Sequence, residues 1–157
     1  MNKLDVRIVQ LEPMRVASVW GFGKEPEGIA WEKLEAWARP KGLRDNPEEH
    51  RIFGFNNPNP SAGSPNYGYE VWIEVGPSVE PEGDLRIKDF DGGLYAVTRC
   101  AVPNGEYDVI GATWKRLVAW REDSKYKCGN HQWMEESIPI ESPGIEFVLD
   151  LYLPISE

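Results

Sequence analysis

Two adjacent carboxylates, Glu135 and Glu136, stand in the run Trp133-Met134-Glu135-Glu136-Ser137-Ile138-Pro139 near the C-terminal end of the sequence. In an extended segment, alternation places Trp133, Glu135 and Ser137 on one side and Met134 and Glu136 on the other. With Met134 facing the core, Glu135 sits beside the Trp133 indole on the opposite face. A carboxylate flanked by an aromatic ring supports two kinds of chemistry. Ionised and desolvated, it favours a positively charged partner. With its pKa raised by burial, it serves as a general acid or base. Glu136 takes the role instead if the register slips by one residue.

Other side chains are spaced to join it. Trp72 alternates with Val71 and Ile73, which predicts a ring on the open face of a sheet, suited to stacking and to cation–π attraction. Tyr152 shares a face with Asp150 and offers a phenol for hydrogen bonding. Trp20 and Phe22 close an early strand at the expected mouth of a groove. Glu70 and Glu74 lie on the side of Trp72 and add negative potential if they face a ligand; a solvated face is their default. The expected ligand-binding set is therefore Glu135, Trp133, Trp72, Tyr152, Trp20, Phe22 and Glu74, with Glu135 catalytic only if the protein is an enzyme.

The elements that must hold these residues are legible in the apolar periodicity. Val6 to Phe22 reads as extended and broken at Glu12-Pro13, because proline lacks an amide donor. Ile29 to about Lys41 reads as a helix, with Trp31, Leu34, Glu35 and Ala38 on one stripe. Short strands are expected at Arg51–Asn57 and Tyr69–Val75. The Gly76–Gly83 stretch punctuates the chain. After it, Leu85–Phe90, a tight Asp91-Gly92-Gly93 turn and Leu94–Ala101 read as a hairpin. A second helix over Glu106 to about Lys125 carries Ile110, Trp114, Leu117 and Val118 inward. Trp31, Trp114 and Leu117 are expected core residues. In the last strand Phe147, Leu149, Leu151 and Leu153 point one way, and Val148, Asp150 and Tyr152 the other.

The sequence repeats itself at an offset of about 80 residues. Val6-Arg7-Ile8 answers Leu85-Arg86-Ile87, and Trp31-Glu32-Lys33-Leu34 answers Trp114-Lys115-Arg116-Leu117. The half-repeats run over about 4–76 and 83–155 of a single domain, 1–157. Two copies are too few for a solenoid, so the expected fold is α+β: duplicated βαββ halves with pseudo-twofold symmetry. Helices cover one face of antiparallel sheet and a ligand cleft lies on the other.

Composition excludes several function classes. The 157 residues carry a net charge of −9, which disfavours nucleic acid and anionic membranes as partners. Two cysteines and two histidines without metal-ligand spacing argue against a zinc site, and neither His50 nor His131 sits in a haem motif. Phosphate-binding and dinucleotide fingerprints and a Gly-x-Ser-x-Gly elbow are missing, so no cofactor is expected. The N-terminus lacks a signal region and no run reaches the roughly 18 apolar residues of a membrane span. A cytoplasmic location is expected.

The order of Tyr69-Glu70-Val71-Trp72-Ile73-Glu74-Val75, Gly93-Leu94-Tyr95-Ala96-Val97, Trp114-x-x-Leu117 and Leu149-Asp150-Leu151-Tyr152-Leu153-Pro154-Ile155 resembles the GyrI-like small-molecule-binding domain. This family is also described as the bacterial transcription-activator effector-binding domain. The resemblance implies a cleft for hydrophobic aromatic or cationic molecules and a cleft Glu on the penultimate strand, matched here to Glu135. It implies effector sensing or toxin sequestration, and a stand-alone form, since no helix-turn-helix precedes the domain. A separate-chain protein partner would then complete any regulatory function. Trp133-Met134-Glu135-Glu136 also resembles a subgroup that hydrolyses cyclopropane-bearing electrophiles with a cleft Glu. A weaker alternative is a protein-interaction module that inhibits a topoisomerase.

Overall fold

The computed structural model describes residues 4–157, and among them lie nine strands and two α-helices in a mixed α+β fold. In chain order these are β1 (Arg7–Leu11), β2 (Met14–Gly23), α1 (Pro26–Ala38), β3 (Ile52–Asn56), β4 (Tyr67–Glu74) and β5 (Arg86–Phe90). Then follow β6 (Gly93–Pro103), α2 (Asp108–Glu122), β7 (Lys127–Cys128), β8 (Met134–Ile138) and β9 (Ile145–Ser156). The strand pairing described below is antiparallel throughout. Among the described residues no helix is long and apolar enough to cross a membrane.

The described chain divides into two compact units, residues 13–91 and residues 4–12 with 92–157. In the first, the strands run in the order β3-β4-β2-β5, with α1 against one face. In the second the order is β1-β6-β9-β8, with β7 also on β9 and α2 against one face. The two orders are equivalent, β5 standing in the first unit where β1 stands in the second. Each sequence repeat thus supplies two strands, a helix and two strands, but its opening strand belongs to the unit built by the other repeat.

That exchange corrects the expected hairpin. β5 does not pair with β6: Ile87 lies opposite Ala17 of β2, and β6 pairs with β1 through Ile8 opposite Ala96. The Gly92-Gly93 turn has positive φ at both residues, 80° and 154°. An ideal Cβ on Gly92 would stand 2.2 Å from the Leu11 carbonyl oxygen. The glycines allow the chain to pass close to the end of β1, and do not close a two-stranded loop.

Each unit has its own core on its helix side. In the first, Ala30, Leu34 and Ala38 of α1 cover Ala17, Val19, Val71 and Ile73. Trp31 is only partly buried against this cluster, so the buried stripe is rotated by about one residue from the expected one. In the second, Leu117 packs with Ala96, Cys100, Val102, Leu151, Leu153 and Ile155, and Trp114 and Val118 flank them. Thr113, unexpected in the stripe, is buried because its hydroxyl donates to the Val109 carbonyl at 2.7 Å.

Candidate functional site

The β8–β9 register decides where each carboxylate goes. Glu135 lies opposite Leu151, and Glu136 opposite Asp150. Cross-strand partners share a face, and Leu151 belongs to the core beneath α2. Glu135 therefore points to the helix side, where the Trp114 indole N–H donates to its Oε2 at 3.1 Å. Trp133 goes with it, its ring 5.4 Å from that of Trp114. The expected alternation is present: Met134 is buried and Glu135 stands beside Trp133. The expected surroundings are not, since the face that carries Glu135 is the one the helix covers.

Glu136 and Tyr152 occupy the helix-free face of the same unit. The Tyr152 phenol donates to Glu136 Oε1 at 2.6 Å. Asp150, 3% exposed, lies beside them and accepts from Arg7 at 2.8 Å and from Arg99 at 2.9 and 3.3 Å. The Arg99 guanidinium is held more firmly protonated, first by its hydrogen bond to Asp150, with Glu136 adding further negative charge. Tyr95 packs edge-on against Tyr152 at 5.4 Å and donates its phenol to the Gln132 carbonyl at 2.5 Å. Burial pushes the Tyr95 pKa well up, so the ring stays neutral. The result is an aromatic, acidic cluster on one sheet face, with Glu136 half-buried at its edge.

The first unit repeats the theme with different residues. Glu70 of β4, 3% exposed, receives four hydrogen bonds. Ser18 donates to Oε2 at 2.7 Å, Trp72 Nε1 at 2.6 Å and Lys88 at 2.6 Å, while Asn57 reaches Oε1 at 2.9 Å. Burial alone would raise the Glu70 pKa; the donors, Lys88 foremost, outweigh it and hold the carboxyl below its ordinary range. Trp72 lies on the helix-free face, as its alternation predicts. Its ring is nevertheless buried between Phe55 at 4.9 Å and Phe90 at 5.3 Å, and its N–H serves Glu70. Trp72 is thus part of the packing around Glu70 and not an open stacking surface. Glu74 is clamped by both arms of Arg51, at 2.9 and 3.1 Å. Trp20 and Phe22 remain half exposed and stack on each other at 5.6 Å.

The predicted set therefore separates into groups: Glu135 with Trp133 on a helix side, Tyr152 on the opposite face of that unit, and Trp72, Glu74, Trp20 and Phe22 in the other unit. The Glu70 network was visible in sequence only as a default solvated residue. Its one signal was a Glu two positions before a Trp on the same strand face. Among the described residues no group of three or more His, Cys, Asp or Glu side chains is arranged to hold a metal.

The sequence matches the family model for the GyrI-like small molecule binding domain over residues 4–156. The chain belongs to this family. No curated protein matches the GyrI-like chain. Its fold is shared with the C-terminal domain of EcmrR, at 15% identity and a TM-score of 0.72, covering 98% of each chain. In an EcmrR–DNA complex the same likeness spans only 57% of the EcmrR chain. A hydrolase from Listeria innocua aligns at 13% identity and a TM-score of 0.68, over 99% of this chain and 94% of that one. SAV2435, solved bound to tetraphenylphosphonium, aligns at 8% identity and a TM-score of 0.63, over 98% and 94%. At these identities the GyrI-like domain shares the fold of these proteins.

Proposed function

We propose that this GyrI-like domain captures hydrophobic aromatic cations, with Glu136 as the charge partner. The observation that carries the reading is the β8 register. It puts Glu136 on the helix-free face, against the Tyr152 phenol and beside Asp150. Asp150 is buried and held by two arginines, and Glu136 is the carboxylate nearer the surface of the cluster. A half-buried carboxylate beside an aromatic ring favours a diffuse cation, whose weak hydration makes it cheap to desolvate. The tetraphenylphosphonium complex of SAV2435 supports the same ligand class. Effector sensing or toxin sequestration would follow from such capture.

Hydrolysis of strained electrophiles by Glu135 is the second reading, favoured by one observation. Glu135 stands beside a pair of packed indoles, Trp114 and Trp133, with the Trp114 N–H on its carboxylate. The two readings assign their key roles to different residues, which makes them separable. Titration of tetraphenylphosphonium by calorimetry is expected to give saturable binding that Glu136→Gln weakens about tenfold, the loss of one close charge pair. Glu135→Gln is expected to leave that affinity unchanged. Mass spectrometry of a cyclopropane-bearing electrophile after incubation is expected to show unaltered compound. A water-added product that disappears in Glu135→Gln would install the hydrolase reading instead.

A further inference from the structure

The first unit contains a pocket of about 380 Å³ on the edge formed by β5, away from any residue of the Glu136 cluster. Its size falls within the usual range for small-molecule sites. Ser18, Asn57 and Glu70 form its polar part, Trp20 its aromatic wall, and Lys33, Arg86 and Lys88 its cations, with Asp84 opposite Lys33. In a chain of net charge −9, a pocket with three cations against two carboxylates runs counter to the rest of the surface. We propose that this pocket binds a planar aromatic molecule bearing one anionic group, such as an aryl carboxylate. The ring would lie against Trp20 and the anion on Arg86.

Four features of the lining support that class. Both carboxylates are already neutralised: Glu70 by Lys88 at 2.6 Å, and Asp84 by Lys33 at 3.0 Å. Neither has to repel an incoming anion. The Arg86 guanidinium makes no hydrogen bond or ion pair with the described residues, so its planar fork is open to a bidentate carboxylate. Lys88 donates to Glu70 and holds two further N–H groups. The Trp20 indole N–H is spent on the Asn57 carbonyl at 2.6 Å, which fixes the ring and leaves its face as the contact surface. Phe22 stacks behind it at 5.6 Å and adds rigidity.

The site takes a ligand of the opposite charge from the Glu136 cluster and shares no residue with it, so each stands or falls alone. The test is calorimetric titration of the full chain with 2-naphthoate and with its neutral N-methylamide. Saturable binding of 2-naphthoate is expected, at least about tenfold tighter than the amide. Arg86→Gln should weaken 2-naphthoate about tenfold, and Trp20→Leu about fivefold. Arg86 is exposed and unpaired, so its variant should keep the wild-type melting temperature. Glu136→Gln should leave 2-naphthoate binding unaltered. Equal affinity for the carboxylate and the amide, no saturation by about 2 mM, or an Arg86→Gln variant with full affinity would each overturn the proposal.

Discussion

Glu70→Leu is expected to lower the unfolding free energy by about 3 kcal/mol, seen as a fall in urea midpoint at pH 7. Leucine fits the volume but accepts no hydrogen bond. Ser18 and Trp72, both buried, would lose their acceptor, and the Lys88 ammonium would lose its partner. Each orphaned buried donor costs on the order of 1 kcal/mol or more. Lys88 is 40% exposed and recovers part of its loss through water, so its share is discounted. Glu70 is also linked to pH. Its folded pKa is depressed, so it contributes stability in full above the unfolded value of about 4.3, and that contribution is lost as pH falls through the folded value. Glu74 has the same sign, burial being outweighed by Arg51. Urea curves at pH 7 and pH 3 should therefore differ less for Glu70→Leu than for the wild type. An unchanged midpoint, or an unchanged difference between the two pH values, would show that the network contributes nothing.

Leu117→Ala is expected to cost about 3 kcal/mol, within the range for a fully buried leucine. The reason lies in how little of α2 is buried. Only Thr113 and Leu117 of its 15 residues are buried, against four in the shorter α1. Leu117 is 0% exposed and is the aliphatic anchor of the helix on Leu151 and Leu153. Truncating it leaves a cavity that the partly exposed Trp114 and Val118 are poorly placed to fill. Looser docking of α2 should also lengthen the Trp114–Glu135 hydrogen bond. The check is a thermal melt combined with amide exchange: protection should fall across residues 108–122 more than across α1. Equal loss of protection in both helices would contradict a local anchoring role.

Much of the architecture was legible because it rests on short-range periodicity. The break at Glu12-Pro13, the Val71/Ile73 alternation, the Leu149/Leu151/Leu153 series and the two helices all follow from local rules. The exchange of β1 and β5 between repeats was not, because a tight Asp91-Gly92-Gly93 turn reads as a hairpin unless the partner strands are known. β7 was missed because two residues carry no period.

The site shows the same division. The amino-acid sequence by itself determined that Glu135 and Glu136 face opposite ways, that Tyr152 sides with Asp150, that Trp72 opposes Val71, and that the chain is an acidic α+β repeat. Only the tertiary structure decided which face α2 covers, and so which of the two glutamates it hides. In β9 six consecutive residues, Asp150 to Ile155, are buried, so polarity no longer distinguishes the helix side from the other. The choice depends on pairing with β8 and on the docking of Leu117, contacts between segments far apart in the chain. Glu70 makes the same point. Its ionised, buried state is set by Ser18, Asn57 and Lys88, three residues that no local pattern brings to it.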